Sequence, residues 1–182
     1  MRYDFSVTFE WLKDMHRFQF NGNYQAQEDR LIFKFNTAAS EEYRLFLTRA
    51  CLKQLFHSGE STLQAQLASR YPTSVVPSVS EFQNTAAAQQ SDFQTAFKSG
   101  DTFPLGESPI LVVSIRVTEQ EKSVSIDFQL ATKQNLNIKI PQANFRALMI
   151  LLKRLQAEAG WGLEDVQVTN LSSNVSQAHQ LH

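Results

Sequence analysis

Apolar and polar residues alternate in six short stretches of the chain, and each stretch is followed by a turn or a helix start. Phe5, Val7 and Phe9 alternate with Asp4, Ser6 and Thr8. Phe18 and Phe20 alternate with Arg17 and Gln19, and Leu31, Phe33 and Phe35 with Ile32 and Lys34. A period of two puts one set of side chains on each face of a strand, so the pattern predicts three half-buried strands. The same pattern returns downstream. Val113, Ile115 and Val117 alternate with polar neighbours, then Val124, Ile126, Phe128 and Leu130, then Leu136, Ile138 and Ile140. Glu119–Lys122 and Ala131–Asn135 are polar and read as turns.

Each set of strands runs into a helical pattern. Asn36-Thr37-Ala38-Ala39-Ser40 offers N-caps, and Glu41 and Glu42 suit the positive end of a helix dipole. The expected first helix carries Tyr43, Phe46, Leu47, Ala50, Cys51 and Leu55, and ends near His57 with Gly59 as its stop. The second opens at Pro141, where a missing N–H is harmless, and runs from Gln142 to Ala159 before Gly160. Phe145, Leu148, Met149, Leu152 and Leu155 share a face, which Ile150 and Leu151 widen. Trp161 and Leu163 are expected to fold back on the core, and Val166, Val168 and Leu171 to form a short edge strand.

The two sets can be superposed. Arg17-Phe18-Gln19-Phe20 lies over Asp127-Phe128-Gln129-Leu130, Tyr43-Arg44 over Phe145-Arg146, and Gly59 over Gly160. The expected fold is therefore α+β: two βββα halves, a degenerate internal repeat, joined in a mainly antiparallel sheet with two long helices on one side. Three strands and one helix are marginal alone, so the halves are expected to share one core. The boundaries are 1–58, an insertion or linker at 59–108, 109–163, and a polar tail at 164–182, within one structural domain.

The insertion differs in composition. It holds Pro72, Pro77 and Pro104, borders Pro109, and contains the run Thr85-Ala86-Ala87-Ala88-Gln89-Gln90. It is acidic, while its flanks are mildly basic. Short helices are expected at Ser61–Ala68 and Gln90–Phe97, with Val75, Val76, Phe82, Phe93, Phe97 and Phe103 as apolar anchors.

Whole-chain numbers narrow the options. The 182 residues carry a net charge of −1, so no global field attracts polyanions. Of the fourteen Phe residues, Phe5, Phe9, Phe18, Phe20, Phe33, Phe35 and Phe128 fit inward sheet positions. One cysteine excludes an intrachain disulfide and a Cys-cluster metal site. Met1–Phe5 lacks the charged and apolar regions of a signal peptide, and no run approaches the ~20 apolar residues of a membrane span. A cytoplasmic protein without membrane contact is expected.

Chemistry is sparse. His179 and His182 stand three apart in the tail without a cluster of other ligands, His57 falls in the expected last turn of the first helix, and His16 stands alone. Cys51 reads as a buried, inert thiol. There is no nucleophile elbow and no Gly-rich phosphate loop. No catalytic residue, cofactor site or metal site is therefore expected. The polar strand positions are more suggestive: Arg17, Gln19, Lys34, Arg116 and Lys139 populate one candidate face for nucleic acid or another ligand. Several strands followed by a helix are similar, in topology alone, to the PUR-type repeat of single-stranded nucleic-acid binders.

The first expectation for function is a non-enzymatic protein-interaction or assembly module, forming a homo-oligomer or binding a protein partner, because one helix is apolar on more than one side. The alternative is a nucleic-acid-binding regulator using the basic face. A further alternative is an enzyme whose site is assembled under residues 59–108.

Overall fold

The computed structural model describes residues 5–8, 19–91 and 95–163, with backbone alone at 5–8. Seven strands and three helices follow in the order β1 (Phe5–Thr8), β2 (Gln19–Gln25), β3 (Arg30–Asn36), β4 (Glu42–Thr48), α1 (Arg49–Ala68), α2 (Val76–Gln90), β5 (Ile110–Glu119), β6 (Ser123–Leu130), β7 (Asn135–Pro141) and α3 (Gln142–Glu158). The fold is α+β. The strands lie side by side in sequence order, and every neighbouring pair is antiparallel except β4 and β5, which run parallel. The sheet is thus mixed: a four-stranded meander and a three-stranded meander joined by a helical crossover, as a parallel connection requires.

The first expected helix is corrected at both ends. Glu42–Thr48 is strand β4, paired residue for residue with β3. Ser40 adopts φ 56 and closes the β3–β4 hairpin in place of capping a helix. Tyr43, Leu45 and Leu47 then alternate toward the core, with Leu45 and Leu47 fully buried. The helix begins only at Arg49, capped by Thr48, whose hydroxyl accepts from the Cys51 N–H at 3.3 Å. It runs through Gly59 to Ala68. A Cβ on Gly59 would stand 2.9 Å from Phe145 Cζ and 3.1 Å from Met149 Cε, so this glycine is the point of close approach between α1 and α3. His57 is exposed in mid-helix, away from the helix end.

Four strands and two helices therefore precede β5, and three strands and one helix form the second set. Residues 59–108 hold the last turns of α1, all of α2, and a segment that returns across the sheet; α2 at Val76–Gln90 stands where the sequence pattern predicts a helix only from Gln90 onward. Phe9, Phe18, Phe93, Arg17, His16 and the tail with Val166, Val168, Leu171, His179 and His182 lie outside the described residues.

One hydrophobic core joins the two sets of strands. Phe20, Phe33, Phe35, Leu45, Ile126 and Phe128 line the inner face of the sheet, and Leu52, Leu55, Phe145, Leu148 and Leu152 meet them from α1 and α3. Helix α2 packs on α1 and α3 as a further layer, with Ala87 as its buried residue. Trp161 folds back as the sequence predicts. Its indole N–H donates to Asp29 Oδ1 at 2.7 Å, beside the Tyr24 hydroxyl at 2.9 Å, and this ties the end of α3 to the β2–β3 turn.

Gln66 interrupts the apolar face of α1. It is 3% exposed, and neither its Oε1 nor its Nε2 has a hydrogen-bond partner among the described residues. A buried amide without partners is destabilising relative to an apolar side chain of similar shape. Gln66→Met should therefore raise the free energy of unfolding by about 1 kcal/mol in urea titrations.

Candidate functional site

Three of the residues expected to form one basic face do lie on the outer face of the sheet, opposite the core. Lys34 on β3 is half-buried and stands across from Arg44. Arg116 on β5 is exposed and stands across from Asp127. Lys139 on β7 is exposed across from Ser125. They sit on alternate strands and do not converge. Gln19 also takes an outward position, but it is 6% exposed, because the 98–102 segment covers it. Its Oε1 accepts from the Lys98 backbone N–H at 3.0 Å and from Asn36 Nδ2 at 3.1 Å.

The same segment clamps Glu42. Ser99 Oγ donates to its carboxylate at 2.6 Å, the Gly100 N–H at 2.9 Å, and Arg44 Nε at 2.6 Å. Burial by itself would raise the pKa of Glu42, but the donors of Ser99, Arg44 and Gly100 outweigh it and hold the pKa below the usual carboxylate value. On this face Phe46 is covered by the guanidinium of Arg30 at 4.2 Å, and Phe103 by that of Arg44 at 4.6 Å. Both rings are thus already engaged by cations of the chain itself.

A different site emerges on the helical side. Helices α1, α2 and α3 line an open-sided cavity of about 330 Å³, within the size range of small-molecule sites. Arg146 on α3 lines it and is only 6% exposed. Its Nη1 donates to Asn84 Oδ1 of α2 at 2.8 Å, and that is its one hydrogen bond among the described residues. No described carboxylate pairs with it. Burial lowers its pKa, yet a guanidinium keeps its proton in a protein. The result is a buried positive charge held by one neutral amide.

The rest of the lining is mixed. Lys153, two helical turns beyond Arg146 on the same side of α3, pairs with Glu60 of α1 at 2.8 Å. Leu63, Met149 and Ile150 supply an apolar wall, and Ser80 joins Asn84 on α2. Spacings of three, four and seven residues place Met149, Ile150 and Lys153 on one side of α3 with Arg146. Arg146 was not among the residues expected to form a site; the signal the sequence offers for it is a cation at the head of an apolar helical stripe. What the stripe could not reveal is that α2, read as part of a linker, roofs it.

Cys51 donates its thiol to the Val112 carbonyl at 3.1 Å and is buried, as an inert structural thiol would be. Among the described residues no three His, Cys, Asp or Glu side chains group to hold a metal ion, and no helix is long and apolar enough to cross a membrane. Against known proteins, the chain matches no family model, no curated sequence and no solved structure.

Proposed function

We propose that the chain is a non-enzymatic, cytoplasmic binding module that captures an anionic group in the cavity between its three helices. The observation that carries this reading is Arg146: a guanidinium 6% exposed, lining a cavity, without a carboxylate partner among the described residues. An uncompensated buried charge is costly, and an entering anion would compensate it with charge-assisted hydrogen bonds. Glu60, the carboxylate that lines the cavity, is tied to Lys153, which favours recognition over acid–base chemistry. The interaction module expected from the sequence thereby acquires a specific recognition group. The outer sheet face supports nucleic-acid binding less well, because its cations are dispersed and its rings covered.

The test separates recognition from packing. Arg146→Met keeps the length and apolar stem but removes the charge. A structural arginine would be missed; a recognition arginine that is strained in the empty protein would not. The variant should unfold at the same urea concentration as the parent or a higher one, with about 1 kcal/mol or more gained. Calorimetric titration with small carboxylates and inorganic phosphate should show binding to the parent and none to Arg146→Met. Loss of stability with no change in anion binding would overturn the reading.

A further inference from the structure

Resting on that reading of the cavity, we infer that its ligand is a free monocarboxylic acid with a short apolar chain, and that α2 is the lid which this ligand holds closed.

The charge count of the lining sets the head group. Arg146 and Lys153 contribute two positive charges and Glu60 one negative, so the cavity carries one net positive charge. Lys153 and Glu60 pair with each other at the solvent-facing rim, which leaves Arg146 as the buried charge that one monoanionic head group balances. The planar fork of an arginine matches the two oxygens of a carboxylate, and Nη1 on Asn84 fixes the orientation of that fork. The apolar part of the lining sets the tail. Leu63 is 7% and Met149 4% exposed, and with Ile150 they give a hydrocarbon chain a surface to displace water from.

Helix α2 is built to move. Its buried residue is Ala87, while Phe82 is 74% and Val75 41% exposed. Its N-terminal residue Val75 makes no side-chain capping bond. Lifting it would unbury Ala87 of α2 itself and uncover Leu63 and Met149 beneath it but leave the sheet in place, so local opening costs less than global unfolding. Opening would break the Asn84–Arg146 bond and admit the acid. A carboxylate on Arg146, with Ser80 and Asn84 above it, would bridge α3 to α2 and close the helix again.

The experiment uses the full chain with hexanoate, hexanamide, inorganic phosphate and a leucine-terminated tetrapeptide as probes. Hexanoate should bind at least about tenfold more tightly than the other three. Amide hydrogen exchange across residues 76–90 should slow about tenfold with hexanoate bound, with the exchange of β6 unchanged. Ser80→Phe, at a half-buried position outside the core, fills the cavity and should abolish binding while leaving the circular dichroism spectrum intact. Tighter binding of phosphate or of the peptide would overturn the free monocarboxylate and leave the anion site standing. Hexanoate binding without slower exchange in α2 would overturn the lid. Binding that survives Ser80→Phe would overturn the location, and no binding by any anion would overturn this inference together with the reading beneath it.

Discussion

Phe145→Ala should lower the free energy of unfolding by about 3–5 kcal/mol, the usual loss when a fully buried phenylalanine is truncated. Phe145 is 0% exposed and stands where α3 meets α1. The loss comes from apolar surface returned to water on unfolding and from the cavity left beside Gly59. That neighbour makes the prediction more specific. In the parent, a methyl group on Gly59 meets Phe145 Cζ at 2.9 Å, which offsets the roughly 1 kcal/mol that alanine gains over glycine within a helix. Once the ring is gone the remaining close neighbour is the Met149 thioether at 3.1 Å, a flexible group with new space to shift into, so Gly59→Ala should become stabilising by up to about 1 kcal/mol. Urea denaturation of the parent, both single variants and the double variant measures the coupling. Strict additivity would show that α1 and α3 do not meet at this glycine.

Gly59 also shows why part of the fold was hidden in the sequence. A glycine after an apolar helical stretch reads as a stop, yet the same residue permits close helix packing, and only the partner helix distinguishes the two. Residues 42–48 pose the same difficulty. Tyr43, Phe46 and Leu47 match a helical spacing, while Tyr43, Leu45 and Leu47 match a strand. The choice falls to β3, whose seven residues pair with this stretch. Where local signals agreed, they were sufficient: β6, β7 and α3, bounded by polar turns, Pro141 and Gly160, stand where alternation and capping place them. The cavity needed three helices from two distant parts of the chain. Arg146 stands in the sequence as a cation among apolar residues, but its lack of a carboxylate partner among the described residues is a tertiary fact.

Glu42→Gln should destabilise the protein by about 3 kcal/mol near neutral pH and flatten its response to acid. The carboxylate is 1% exposed and accepts from Ser99, Gly100 and Arg44. A glutamine offers one acceptor and one donor group where three donors converge, so at least one buried donor faces an N–H. The pH response follows from the lowered pKa of the folded state. In the unfolded chain the carboxyl titrates near its ordinary value of ~4.3, so the stabilisation is fully present above that pH. It declines as pH falls below that value and is lost on passing through the folded-state pKa. Parent stability should therefore hold steady from neutral pH to about pH 5 and then fall. Asp29, whose pKa is lowered by the Trp161 and Tyr24 donors and by Arg49, adds to the same acid limb, so the variant should retain a shallower slope. Urea midpoints measured across the acid range in both proteins decide the matter. Parallel curves would mean that Glu42 does not hold the 98–102 segment to the sheet through its charge. Converging curves would identify that clamp as the element that fixes the 98–102 segment to the sheet ahead of β5.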